Sequence, residues 1–402
     1  MPTAEAPRVL APGLEHLEWP FFEDEHRELA RAVGEWAGRE VHEPPASMSA
    51  SHGEVDAECR ALVRLLGEAG WLRHVVPAPH GGLNERVDAR SLCLLRESLA
   101  RRSALADFAL AMQGLGAGPI ALHGDDAQQR RYLPGVASGE RIAAFAISEA
   151  GAGSDIAAMQ TTARRDGAAW VLDGEKTWIS NAGIADHYVV FARLAGAGAD
   201  AGFVALIVDA DARGLSVAER IALAAPHPLG TLRFDGCRVG SDRLLGEPGK
   251  GLRVALGTLD LFRPSVGAAA LGLARRAMDE ALAWTRERTV FGRALAEHQM
   301  TQVKLADMAV RIDASALLVY RAAWTRDRLR RRTTREAAMA KLHATESAQL
   351  VIDDAVQLLG ARGVRLGAPV ERLYREIRAL RIYEGTSEIQ RIVIANAIGT
   401  GS

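Results

Sequence analysis

One carboxylate near the C-terminus stands in a setting suited to proton transfer. The segment Ile382-Tyr383-Glu384-Gly385-Thr386-Ser387-Glu388-Ile389-Gln390-Arg391 places Glu384 after Leu380, Ile382 and Tyr383 and before a glycine and two hydroxyls. A carboxylate among apolar groups has its charged form disfavoured, so its pKa rises and it becomes suited to taking a proton. The plainer reading is a solvated Glu ahead of a helix capped by Ser387, with Ile389, Ile392 and Val393 carrying the helical pattern. This window alone favours the plainer reading.

Four other windows could surround a ligand. In Phe145-Ala146-Ile147-Ser148-Glu149-Ala150-Gly151-Ala152-Gly153-Ser154-Asp155, small residues allow close backbone approach, and Ser148 and Ser154 can donate to phosphate or ring carbonyls. Trp178-Ile179-Ser180-Asn181 sets a large aromatic beside a hydroxyl, a wall for a flat conjugated ring or, equally, a core Trp with a strand-end serine. In Arg288-Thr289-Val290-Phe291-Gly292-Arg293, followed by Glu297-His298-Gln299, a guanidinium could clamp a pyrophosphate or simply be solvated. Gln357-Leu358-Leu359-Gly360-Ala361-Arg362-Gly363 closes a helix with small residues that could touch a cofactor or serve only as a C-cap. Gly246-Glu247-Pro248-Gly249-Lys250-Gly251 lacks the spacing of a phosphate loop, and no HExxH, GxSxG or strand-borne GxGxxG occurs. The arginine run from Arg326 to Arg335 lacks the interleaved aromatics of a nucleic-acid site and reads as a solvated helix end.

The elements that must position these windows follow a simple order. From about Glu23 to Gly139 the apolar spacing is helical, as in Leu29, Val33 and Trp36 and in Leu62, Leu65, Leu66 and Ala69, with a break at Pro77 to Gly82. From about 141 to 250 short β-rich runs lie between turn signals: Trp170-Val171-Leu172 sits between Asp166-Gly167 and Asp173-Gly174, and further runs cover 178–180, 187–192, 203–208 and 231–234. This predicts a compact antiparallel β unit without βαβ alternation. Long helices are expected at about 252–286, 297–328 and 335–359, the second with Val303, Ala306, Val310, Ala314 and Leu317 as a stripe for a bundle core. The expected divisions are a tail at 1–22, a helical domain at 23–140, a β domain at 141–250 and a helical domain at 251–402.

Bulk properties bound the function. The chain has 402 residues, 48% hydrophobic and 25% charged, and a net charge of −1, so no global field draws it to nucleic acid or an anionic membrane. Cys59, Cys93 and Cys237 form no CxxC pair and no even set, which argues for a reducing compartment, for packing roles and against zinc. The N-terminus has neither the basic-then-apolar order of a secretory signal nor the acidic-poor composition of a transit peptide. No uninterrupted apolar run approaches the ~20 residues of a membrane span. A cytoplasmic location is expected, and the abundance of Ala, Arg and Gly points to a GC-rich bacterial source.

Taken in this order within a helix–β–helix frame, the windows resemble the acyl-CoA dehydrogenase family over nearly the whole chain, from about Glu23 to Ile398. The resemblance implies an α+β multidomain fold with an N-terminal helical domain, a middle antiparallel β-barrel and a C-terminal four-helix bundle. It also implies bound FAD, an acyl-CoA substrate, a homotetramer built from two dimers and electron transfer to an electron-transfer flavoprotein. Glu384 matches the base that removes the α-proton of the thioester, yielding a trans-2-enoyl-CoA. Phe145, Ser148 and Ser154 match the flavin- and substrate-contacting loop, and Trp178 and Ser180 match residues flanking the isoalloxazine ring. Arg288, Phe291, His298 and Gln299 match a segment reaching a neighbouring subunit's FAD, whereas Gln357, Gly360, Ala361, Thr386 and Glu388 match other FAD contacts. On the substrate side, Asp260 and Arg263 match the CoA-side pair, and Tyr383 and Gly385 flank the base. Some members carry the base where Phe262 stands here; a phenyl ring cannot serve, and with Met112 it is expected to reshape the acyl pocket. Ala150 replaces a usual proline, Ser148 and Ser180 replace threonines and Ala361 replaces a glycine, changes that keep hydroxyls or small size. An oxidase or monooxygenase on the same scaffold, or a catalytically silent flavoprotein, are the alternatives.

Overall fold

The computed structural model describes residues 14–42, 51–195 and 202–399. Helices α1 (Asp24–Glu40), α2 (His52–Glu68), α3 (Ala89–Arg102), α4 (Ala104–His123) and α5 (Asp126–Ala137) form the first unit. Their starts are written locally: Ser51 and Glu54 cap α2 reciprocally, Asp125 and Gln128 do so for α5, and Asp88 and Ser103 accept N–H groups at the starts of α3 and α4. Helix α4 is apolar on nearly every side and buried along most of its length, which makes it a central helix rather than a surface one. Residues 1–13 of the expected tail lie outside the described residues. Its later part is docked: Glu15–Glu18 forms a short 3-10 helix that buries His16 and Leu17.

The middle unit is a curled seven-stranded sheet of β1 (Ala143–Ala146), β2 (Thr162–Asp166), β3 (Ala169–Ser180), β4 (His187–Leu194), β5 (Phe203–Asp209), β6 (Leu215–Arg220) and β7 (Leu229–Gly240). Most pairings are antiparallel, but β4 pairs in parallel with both β1 and β2, which the expectation of an antiparallel unit did not include. Asp166-Gly167 makes the expected β2–β3 hairpin, with Gly167 at φ 62. Asp173-Gly174 does not turn the chain. It lies within β3 at a register shift, where Gly174 has φ 137 and a Cβ would come 2.8 Å from Thr161 Cα. The missing side chain permits a bulge, so the two short runs expected on either side form one strand.

The third unit comprises α6 (Gly251–Glu287), the short hairpin of β8 (Thr289–Val290) and β9 (Arg293–Ala294), α7 (Gln299–Leu329), α8 (Thr334–Leu359), α9 (Pro369–Leu380) and α10 (Ser387–Gly399). Helix α8 packs against α6, α7, α9 and α10. The stripe expected to form the core side of α7 does not: Val303, Val310 and Leu317 are 54%, 68% and 47% exposed. Met308, Ile312, Ala316, Val319 and Tyr320 are the buried face. The apolar residues of α7 occupy two faces, and periodicity alone cannot say which is covered within one chain.

The two helical units are joined through α3 and α6. Arg275 of α6 donates to Glu97 of α3 at 2.6 Å, and Tyr320 of α7 donates to the same carboxylate. Helices α4 and α6 are long and apolar enough to cross a membrane, contrary to the expectation from uninterrupted runs, but most of each apolar window is buried within the fold. All three cysteines are free and buried, and burial pushes the Cys59 thiol up to about 12, in keeping with packing.

Candidate active site

Glu384 sits in the turn between α9 and α10. The N–H groups of Ile382 and Tyr383 both donate to Ala379 O and close α9, after which Glu384 takes φ 53 and Gly385 φ 90. A left-handed glutamate is unfavourable unless its surroundings hold it. Lys341 of α8 donates to Gly385 O at 2.8 Å, and Gln390 Nε2 of α10 donates to Gly385 O at 2.9 Å and Glu384 O at 3.3 Å. Thr386, not Ser387, caps α10 by accepting from Ile389 N, while Ser387 Oγ donates to Glu346.

The turn aims the carboxylate inward. Glu384 as a whole is half-buried, but its Oε2 is buried without a hydrogen-bond partner among the described residues, which argues against a freely solvated side chain. Burial raises its pKa above the ordinary carboxylate range, opposed by the positive charges of Arg96, Lys341 and Arg263 and reinforced by Asp107. These four come from α3, α8, α6 and α4. Arg96 is committed elsewhere: Nε and Nη2 hold Asp107 at 2.7 and 2.8 Å, and Nη1 donates to Ser265 at 3.0 Å. Arg263 donates to Asp260 at 2.7 Å, and Asp260 also accepts from Thr334 at 2.9 Å. The Glu384 N–H makes no hydrogen bond among the described residues and is free to donate. Sequence reasoning missed Arg96, Asp107 and Lys341; their one signal is a charge within an otherwise apolar or alanine-rich helical run.

A second group forms around β3. Lys176 is fully buried and donates to Ile147 O at 2.9 Å and Glu149 at 2.8 Å, while the Thr177 N–H donates to Ser148 O at 3.0 Å. These bonds set the Ser148 loop beside Trp178, whose φ of 59 turns its indole outward to 57% exposure. The half-buried hydroxyls of Ser148 and Ser180 form no hydrogen bond among the described residues. An exposed indole flanked by uncommitted donors fits a flat, polar-edged ring system such as a flavin. Phe145 lies instead in β1 and packs on Phe191, with ring centroids 4.8 Å apart. Ser154 is exposed beyond the loop.

The remaining windows stand apart. Arg288, Phe291 and Gln299 are exposed, Phe291 almost completely, and His298 holds Val290 O at 3.0 Å. Gln357, Gly360 and Ala361 are exposed at the end of α8, and Glu388 is exposed on α10. No hydrogen bond, ion pair or ring contact among the described residues links Arg288 or Phe291 to the Trp178 or Glu384 groups. Elsewhere, Glu23, Glu25 and His26 cluster closely enough to ligate a cation, but His26 already holds Asp88 at 3.1 Å and the N–H of Glu23.

The fold thus sets a carboxylate with one buried, unpartnered oxygen and a loop beside an exposed indole on a sheet between two helical units. Profiles of the acyl-CoA dehydrogenase N-terminal, middle and C-terminal domains match residues 23–140, 144–237 and 249–399, and the chain belongs to that family. Human mitochondrial short-chain specific acyl-CoA dehydrogenase is 37% identical over 373 residues, covering 92% of this chain and 89% of the relative. Butyryl-CoA dehydrogenase from Megasphaera elsdenii superposes with a TM-score of 0.86 at 30% identity, covering 94% and 98% of the two chains. An acyl-CoA dehydrogenase from Bacillus anthracis, solved with FAD, gives 0.85 at 30% identity over 94% of this chain and 68% of that one. The protein is thus an FAD-dependent enzyme of acyl-CoA dehydrogenation, acting on a CH–CH bond.

Proposed function

We propose that this enzyme oxidises an acyl-CoA thioester to the trans-2-enoyl-CoA, with Glu384 as the base for the α-proton. The observation that carries this is the buried, unpartnered Glu384 Oε2 in a turn held by Lys341 and Gln390. A proton α to a thioester is a weak acid, so its removal needs a base of raised pKa and donors for the charge that develops on the carbonyl oxygen. Glu384 supplies both, its carboxylate taking the proton and its free N–H donating to the oxygen. When bound, FAD accepts the hydride that leaves the β-carbon.

Ser148, Trp178 and Ser180, with Ser154, Thr386 and Glu388, are proposed to hold the flavin of their own chain. Arg288, Phe291, His298 and Gln299 are proposed to reach the FAD of a neighbouring chain in a homotetramer, with Gln357, Gly360 and Ala361 contributing further contacts; the exposure of all but the half-buried His298 supports this reading. Asp260 and Arg263 orient the CoA side. The proposed electron acceptor is an electron-transfer flavoprotein, as the family resemblance implies.

Glu384→Gln removes the base and keeps the shape. The variant should retain its yellow colour and bind acyl-CoA, while anaerobic flavin bleaching slows on the order of 10³-fold or more. Near-normal bleaching would place the base elsewhere. Rapid peroxide formation without an added acceptor would instead mark an oxidase.

A further inference from the structure

The turn that carries Glu384 is pinned at its ends and in its middle by different side chains. Glu346 of α8 accepts from Arg381, at the close of α9, through bonds of 3.0 and 2.8 Å, and from Ser387 Oγ at the start of α10. The Ser387 N–H donates to Arg381 O at 3.1 Å and closes the loop between them. These contacts set where the turn begins and ends, and leave the peptide that follows Glu384 free to rotate. Its carbonyl has one hydrogen-bond donor among the described residues, Gln390 Nε2 at 3.3 Å. Gly385 O is shared between the same nitrogen at 2.9 Å and Lys341 Nζ at 2.8 Å. Gln390 alone therefore reaches both carbonyls.

Gln390 is fully buried, and its backbone N–H continues α10 by donating to Thr386 O at 2.9 Å. Each hydrogen of its amide has a carbonyl to meet, and turning the amide over would set Oε1 against two acceptors, so the chemistry fixes its orientation. The other end of the amide goes unsatisfied. Gln390 Oε1 is buried with no donor among the described residues, a loss that an apolar side chain of the same length would avoid. The neighbouring backbone is matched to the amide: a Cβ on Gly385 would come 2.5 Å from Gln390 Nε2, and Gly385 takes φ 90, a conformation suited to glycine. A strained Glu384 at φ 53, a glycine beside it and an amide with a wasted acceptor all serve one turn.

We propose that Gln390 is a positioning residue for proton abstraction: by holding Glu384 O and Gly385 O on one amide, it fixes the left-handed conformation of Glu384 and with it the direction in which the carboxylate leaves the backbone. The proposal rests on the reading of Glu384 as the base. Without the amide, rotation of the Glu384 peptide swings the carboxylate, and a misplacement of about 1 Å can cost about 10²-fold in rate. Lys341 restrains Gly385 O but makes no bond to Glu384 O, so it cannot take over this role.

Gln390→Met keeps the length and burial and removes both donors. The test is stopped-flow anaerobic bleaching of the FAD-loaded enzyme with whichever of butyryl-, isobutyryl- and octanoyl-CoA reduces wild type fastest, at a pH above the Glu384 limb so that the base is ionised in every variant. The limiting rate constant should fall about tenfold or more, while the acyl-CoA dissociation constant stays within about threefold and FAD content and melting temperature stay at wild-type values. Amide hydrogen exchange across residues 381–390 should quicken, which reads the clamp without turnover. Gln390→Glu, of the same shape but with acceptors facing both carbonyls, should be at least as slow, and it decides the question if Gln390→Met fails to hold FAD. A wild-type limiting rate in a folded, yellow variant overturns the clamp and leaves the dehydrogenation reading standing. Loss of FAD or of the fold in both variants also overturns it, since the side chain then supports the fold rather than the base. If no thioester bleaches wild type, the dehydrogenation reading fails and the clamp with it.

Discussion

Lys341 is buried and Glu384 half-buried, and each charge favours the other's ionised form. Burial brings the Lys341 ammonium down to about 8, against the pull of Glu384, and the Lys341 charge in turn limits how far burial raises Glu384. The base works when deprotonated, so flavin reduction should rise with pH through the Glu384 pKa. In Lys341→Met a charge that lowers that pKa is gone, and the acid limb of the profile should move to higher pH, slowing reduction at neutral pH more than at alkaline pH. Gln390 still holds Gly385 O, so a purely structural loss would lower the rate at all pH values without moving the limb. Stopped-flow bleaching across pH separates the two outcomes. At this scale, the sequence singled out Glu384 beside Tyr383 and Gly385, but its own window favoured a solvated side chain, and only the family resemblance gave it the role of base. The groups that tune it were not legible, because Arg96, Asp107, Arg263 and Lys341 come from four helices and only packing brings them together.

Strand β3 shows how an element carries a site. Regular alternation would put Lys176 and Trp178 on one face, but the register shifts between Lys176 and Ile179 and Trp178 takes φ 59, so Lys176 reaches under the Ser148 loop while Trp178 faces out. Replacing Lys176 by Met leaves the Glu149 carboxylate, which also accepts from Gln160 N and Thr161 N, without its counter-charge. Breaking a buried pair from one side costs about 3 kcal/mol. Lys176→Met should therefore lower the melting temperature and, by loosening the loop, release FAD; gel filtration with the flavin-to-protein absorbance ratio checks this. A colour and stability equal to wild type would show that the loop is held by the Thr177–Ser148 backbone bond alone. Both Asp-Gly pairs look alike in sequence, yet one turns a hairpin and the other bulges within β3. What separates them is Thr161, packed against Gly174 from a segment twelve or more residues away, a contact that local turn chemistry cannot reveal.

For the whole molecule, the order of helical, sheet and helical units was legible because the apolar period changes near Ile142 and again after Gly251. The outer surface was not legible, since the α7 stripe read as core is exposed. Val303, Val310 and Leu317, with Met300 before them and Ile392 and Ile398 on α10, are large apolar groups facing outward in a single chain. An outward apolar stripe such as that of α7 marks an interface, and within the proposed homotetramer it is where a second chain would pack. The same assembly would carry Arg288 and Phe291 of one chain to its neighbour's flavin, so assembly and FAD retention should be coupled. An Asp at position 310 puts an unpaired charge into that interface, at about 3 kcal/mol or more, enough to weaken association about a hundredfold. Val310→Asp should therefore lower the mass seen by light scattering and, at the same protein concentration, lower the FAD content. Dissociated chains that keep their full complement of FAD would show that each chain completes its own cofactor site and would remove Arg288 and Phe291 from it.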